Sequence, residues 1–196
     1  MVMEFISGIS LGREMKGRGY KPYTEREMAD VVLPVLQGVD ALHNKSIVHS
    51  DISPGNIIRA KDGTIVLIDM GAAKYMLDYQ PPLSATFLKI DYAAPEQYQT
   101  AKEGIPRGEG AWTDVYAVGA TMYYMLTGHK PIDVITRLSS LDSRLILPNE
   151  YEVKLSEKMI YVLERAMELE KTKRFRSATD LSEAIKDAID DHHCSN

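Results

Sequence analysis

Ile47-Val48-His49-Ser50-Asp51-Ile52-Ser53-Pro54-Gly55-Asn56, followed later by Ile68-Asp69-Met70-Gly71, is the stretch that decides how this chain is read. Asp51 and Asn56 share one tight loop, and Asp69 comes 18 residues after Asp51. Between them lie two β-like runs, Ile57–Arg59 and Thr64–Ile68, joined by the turn signal Asp62-Gly63. Such a hairpin folds Asp69 back over the loop. One potential base and two oxygen ligands then meet at one point. A hard divalent cation such as Mg²⁺ takes few carboxylate oxygens together with a substrate phosphate. Phosphoryl transfer needs this kind of positioning and charge neutralisation.

Outward from the loop, the pattern is mostly helical. Thr24 and Glu27 form a capping-box pair, and Met28, Val31, Val32, Val35, Val39 and Leu42 hold one face of a helix from about Thr24 to Lys45. Pro34 falls inside it and is expected to kink it or remove a hydrogen bond. Residues 1–6 read as a short strand ending at Ser7-Gly8, and Ile47–His49 as another. Residues 72–110 show no sustained period, and a stretch of that length without structure is commonly functional or disordered. Helices are expected over Thr113–Leu126 and roughly over 131–140, 155–168 and 177–190. The fold class expected is mainly α, with a small β-hairpin beside the loop, in a single domain spanning 1–196.

Composition narrows the function classes. The 196 residues are 44% hydrophobic and 26% charged, as in a globular protein with a real core. A net charge of −5 argues against nucleic acid as a partner, because phosphate backbones need a basic surface. No apolar run approaches the roughly 20 residues of a membrane span. One cysteine, Cys194, excludes a disulfide framework and fits a reducing cytoplasm. His192-His193-Cys194 has no fourth ligand at finger spacing and reads as an ordinary tail.

The ordered landmarks resemble those of a eukaryotic-like serine/threonine protein kinase of the bacterial type, specifically its C-terminal lobe. His49-Ser50-Asp51-Ile52-Ser53-Pro54-Gly55-Asn56 is similar to H-R-D-x-x-x-x-N, and Asp69-Met70-Gly71 to D-F-G. Ala94-Pro95-Glu96 matches A-P-E, Asp114 through Gly119 the central helix, and Lys173 through Ala178 the late Arg motif. The resemblance implies ATP and Mg²⁺ as cofactors and a protein hydroxyl as substrate. Asp51 would orient or deprotonate that hydroxyl, and Asn56 and Asp69 would bind metal. Glu4 and Ile6 would meet the adenine edge through their backbone, with Ile58 beneath the ring. His49 is expected as a packed core residue, Glu96 to pair with Arg174, and Asp114 to accept backbone N–H groups of the loop.

Three departures from the pattern bear on mechanism. The chain opens at what the family would call the hinge, so the ATP-covering N-lobe is expected to be absent. The isolated chain is then expected to have negligible kinase activity. Val2, Phe5, Ile6 and Ile58 would line an apolar shelf met by a separate N-lobe or by self-association. Ser50 replaces the Arg that gathers a phosphorylated activation loop, and Ser53 replaces the Lys that faces the γ-phosphate. Counting back from Glu96, Lys89 stands where the family has Thr, which suggests that cation and hydroxyl have changed places. Thr86 is the alternative equivalent if the loop carries two extra residues. Two other functions compete: a non-catalytic, pseudokinase-like binding module, and a small-molecule kinase of the aminoglycoside or choline type.

Overall fold

In the computed structural model, which describes residues 6–70, 73–75, 89–98, 108–140, 145, 148–151 and 153–190, a first strand β1 (Gly8–Ser10) runs straight into helix α1 (Leu11–Gly17). Ser10 caps α1, and Leu11 and Met15, one turn apart, bury together. Helix α2 (Glu25–His43) opens with the capping box that the sequence predicts. Thr24 N–H donates to the Glu27 carboxylate at 2.8 Å, and Glu27 N–H to the Thr24 hydroxyl at 3.2 Å. Pro34 interrupts the bonding of α2 without ending the helix. Pro34 and Asp30, whose carbonyl loses its partner, are both exposed, so water can take the place of the missing bond.

Strands β2 (Ile47–Val48), β3 (Ile57–Ala60), β4 (Ile65–Leu67) and β5 (Lys74–Tyr75) follow. They form two sheets: an antiparallel three-stranded sheet in the order β1-β3-β4 and a two-stranded ribbon, β2-β5. Four helices follow among the described residues, α3 (Ala111–Thr127), α4 (Val134–Ser139), α5 (Glu157–Ala166) and α6 (Ala178–Asp190). Every residue of α3 from Thr113 to Thr127 is buried, which makes it the central helix around which α2, α5 and α6 pack. The Glu25 carboxylate reaches from the start of α2 to the N-cap of α5, accepting Ser156 N–H at 2.6 Å and the Ser156 hydroxyl at 3.0 Å.

The mainly α expectation is corrected here. The molecule is a mix of helices and small sheets, and its β structure exceeds one hairpin. The opening strand lies at Gly8–Ser10, after the expected 1–6, and α1 was not anticipated at all. The reason is that β1 is specified by a partner fifty residues away: Gly8 faces Ala60, Ile9 faces Arg59 and Ser10 faces Ile58. Approach there is so close that a Cβ on Gly8 would lie 2.4 Å from the Arg59 carbonyl oxygen. A short strand of this kind carries no periodic signal of its own.

Gly128 ends α3 in the left-handed region, at φ 75°, with its N–H on the Tyr124 carbonyl. A Cβ there would fall 2.2 Å from the Tyr20 carbonyl oxygen, so both conformation and space require glycine. Gly128→Ala is expected to destabilise the fold by about 1–3 kcal/mol, the cost of a residue held in a disfavoured backbone region. A lowered midpoint in urea unfolding, at unchanged slope, is the measurement.

Candidate active site

Asp114, fully buried near the start of α3, organises the loop that carries Asp51. Its Oδ2 accepts His49 N–H at 2.8 Å and its Oδ1 accepts Ser50 N–H at 2.9 Å. His43 Nε2, at the end of α2, lies 2.9 Å from the same Oδ2. A buried carboxylate is tolerable only when bonded in this way. Ser50 is held at φ 66°, a conformation that non-glycine residues rarely adopt and that recurs at functional sites. His49 is also fully buried, and its Nδ1 accepts Asp51 N–H at 3.3 Å.

Asp51, Asn56 and Lys89 meet. Asn56 Nδ2 donates at 2.8 Å to both the Asp51 carbonyl and Asp51 Oδ2. Both N–H groups of that amide are thereby used, and its oxygen is left as a ligand. Lys89 Nζ lies 2.9 Å from Asp51 Oδ2. The hairpin β3-β4 ends beside them, since Ile68 N–H donates to the Asn56 carbonyl at 2.8 Å. Asp69 follows directly, exposed, at φ 69°. One carboxylate and one amide oxygen suit Mg²⁺, which takes one or two carboxylates and completes its shell with phosphate and water. Asn56 and Asp69 therefore fit the metal by chemistry.

Other expected residues are placed as follows. Asn56 N–H donates to the Ser53 carbonyl at 3.0 Å, while the Ser53 hydroxyl is buried with no hydrogen-bond partner among the described residues. Ile6 and Ile58 are each half-buried, and Ile58 pairs with Ser10 across β1 and β3. Glu4, Val2, Phe5, Gly71, Thr86 and the His192–Cys194 tail lie outside the described residues. Glu96 and Arg174 form a buried bidentate pair, with Nη1 to Oε1 at 2.9 Å and Nη2 to Oε2 at 3.1 Å. The remaining Arg174 N–H groups reach the carbonyls of Glu168, Trp112 and Leu169, so all five donors are used.

Sequence reasoning missed Gln97. Its Nε2 donates to the Ser50 carbonyl at 2.8 Å and its Oε1 accepts Ala94 N–H at 2.9 Å. It thus clamps the segment after Lys89 to the loop of Asp51. No spacing rule marks a glutamine for this; only its place directly after Ala94-Pro95-Glu96 could have drawn attention. His43 and Thr113, whose hydroxyl donates to Glu96 Oε1 at 2.8 Å, were missed likewise. Beside the site, burial, with Tyr124 and Asp91 adding to it, holds the Tyr92 phenol above its ordinary range, so it stays protonated and is no base.

Arg174→Ala strands the Glu96 carboxylate in the core and is expected to cost about 3–5 kcal/mol, the usual result of removing one partner of a buried pair. Arg174→Lys keeps the charge but lacks the planar fork, and should fall between that variant and the parent. Chemical unfolding of the three proteins gives the order.

The family model described as "Protein kinase domain" matches residues 1–188. Serine/threonine-protein kinase B of Synechocystis is 29% identical over 197 residues, covering 95% of this chain and 32% of the relative. Serine/threonine-protein kinase PknL of Mycobacterium tuberculosis is 34% identical over 146 residues, covering 74% of this chain and 35% of the relative. The chain thus spans about a third of the length of these curated relatives. Among solved structures, the apo form of PpkA-294 matches with a TM-score of 0.73 at 21% identity, over 93% of this chain and 61% of that one. The kinase domain of M. tuberculosis PknI matches at 0.70 and 24%, over 95% and 64%. These likenesses to solved structures bear on the fold. They also correct the description of the fold as a C-lobe with its N-lobe absent. The domain match begins at residue 1, and the opening segment is part of a sheet through β1 on β3. The chain belongs to the protein kinase domain family, and the curated relatives it resembles are serine/threonine-protein kinases of bacteria.

Proposed function

We propose that this chain carries the catalytic loop of a serine/threonine protein kinase and transfers the γ-phosphoryl group of ATP to a protein hydroxyl. The observation that carries this reading is the meeting of Asp51, Asn56 and Lys89 beside the hairpin end that bears Asp69. Asp51 would accept the proton of the substrate hydroxyl as its oxygen bonds to the γ-phosphorus. The bond from that phosphorus to the β-bridging oxygen breaks, giving ADP and a phosphate ester. Asn56 and Asp69 would hold Mg²⁺, which when bound neutralises charge on the transferring phosphates. Asn56 serves Asp51 as well, since its amide donates one bond to the Asp51 carbonyl and one to Oδ2 of the carboxylate that must face the hydroxyl. Among the described residues no helix is long and apolar enough to cross a membrane.

The buried Asp114 makes this reading chemically coherent. It keeps the Ser50 backbone in its strained conformation and so sets the direction in which Asp51 leaves the loop. Ser50 offers no cation to a phosphorylated loop, so the order of residues 89–98 rests on Gln97 and Glu96. Activity is therefore expected without prior loop phosphorylation.

The test uses a generic basic protein substrate with radiolabelled ATP, and Mg²⁺ present or chelated. Transfer to serine or threonine is expected with Mg²⁺ and not after chelation. Asp51→Asn should lower the rate by at least about 100-fold, as expected for a general base. Asp69→Asn should weaken Mg²⁺-dependent nucleotide binding while leaving metal-free binding unchanged. Nucleotide binding indifferent to Mg²⁺, with no transfer, favours the non-catalytic binding module.

A further inference from the structure

We infer that Lys89 is a catalytic residue: the cation that meets the transferring phosphoryl group comes from the segment before Ala94-Pro95-Glu96 and not from the Asp51 loop. This rests on the phosphoryl-transfer reading above and deepens it. Lys89 Nζ lies 2.9 Å from Asp51 Oδ2, the oxygen that also accepts Asn56 Nδ2. An ammonium group has three donors. One is used on Asp51, and Lys89 has no other side-chain partner among the described residues. Two donors therefore remain beside the carboxylate that takes the hydroxyl proton, where the phosphoryl oxygens must pass. The Lys89 side chain is 38% exposed, which leaves it open to a ligand.

Surface lysines normally wander, and this one is anchored. Its carbonyl accepts N–H bonds from Tyr92 at 2.8 Å and Ala93 at 3.0 Å. Ala94 is held by Gln97, which is bonded to the Ser50 carbonyl in the Asp51 loop. Lys89 and Asp51 are thus fixed relative to each other by a short, closed path of hydrogen bonds. A cavity with room for about one water separates the two segments, lined by Ser50, Asp51, Lys89, Tyr92 and Gln97 among others. Ser53, two residues after Asp51, stands where the pattern that this loop resembles carries a lysine. Its hydroxyl is neutral, buried and without a partner among the described residues.

In the transfer step the substrate oxygen bonds to phosphorus, its proton passes to Asp51, and the bond to the β-bridging oxygen breaks. Lys89 neither gains nor loses a proton. It balances the negative charge on the equatorial oxygens and releases Asp51 Oδ2 as that oxygen is protonated. Preorganised donors of this kind act mainly on the rate.

The experiment compares the parent chain with Lys89→Met, Lys89→Arg, Lys89→Thr, Lys89→Thr/Ser53→Lys, and Lys61→Met in the exposed β3-β4 turn as control. Calorimetry measures MgATP and MgADP binding, and the radiolabel assay measures transfer. Lys89→Met is expected to lower kcat about 100- to 1000-fold and to weaken MgATP about tenfold, with MgADP changed less than twofold. Lys89→Arg should retain most of the preference for MgATP, and Lys61→Met all activity. Lys89→Thr/Ser53→Lys should be at least tenfold faster than Lys89→Thr. Lys89→Met that keeps both the parent's rate and its MgATP preference overturns the inference while the kinase reading stands. So does a folded double variant no faster than Lys89→Thr. If the double variant does not fold, the binding comparison with Lys89→Met decides. A parent chain that binds no MgATP and transfers nothing overturns both.

Discussion

A carboxylate with no access to water holds the site together. Asp114 belongs to the first turns of α3, the helix that every other long helix packs against, and it bonds the backbone of the loop that carries Asp51. The start of a helix is favourable ground for negative charge, and three polar partners satisfy the two oxygens. The consequence runs from packing to chemistry. Because α3 is fixed by the core, the loop is fixed, and Ser50 is kept in a conformation that it would not choose in a free chain. Asp51 then has one direction in which to point.

Arg174 does the corresponding work on the other side. The residue is 1% exposed, and its guanidinium distributes five N–H groups over Glu96 and three backbone carbonyls. Glu96 is joined to α3 as well, through Thr113. The segment containing Lys89, Tyr92 and Gln97 is thereby seated on the same helix as the Asp51 loop. Two pieces of chain far apart in sequence acquire a common reference. Such buried ion pairs add little net stability compared with an apolar replacement. Their contribution here is position: a bidentate fork permits one relative placement of the groups it joins.

The departures from the family pattern then fit together. A serine at position 50 removes a cation that would depend on loop phosphorylation, and a serine at position 53 removes the cation of the loop itself. Lys89 brings one positive charge back to Asp51, on a segment held by the buried bonds of Gln97 and by the ion pair of Glu96 with Arg174. Lys130, paired with Asp91 at 2.7 Å, ties the same segment to the turn after α3.

Much of this was legible in one dimension. The capping box of α2, the hairpin around Asp62-Gly63, the buried face of α5 and the order of the motifs all rest on contacts between near neighbours or on residue types with narrow roles. Local chemistry of that sort is written in spacing. The sequence thus determined the family, the long helices and the identity of the candidate base Asp51 and the candidate ligands Asn56 and Asp69. Tertiary structure decided the rest: that Gly8–Ser10 is a strand, that Gln97 clamps the two segments, that His43 shares Asp114, and that Lys89 faces Asp51. Each of these joins residues 38 or more positions apart. A lone strand or a glutamine has no local signature, and the count back from Glu96 left Lys89 and Thr86 both open, because the meaning of such residues comes from the partner that folding brings to them.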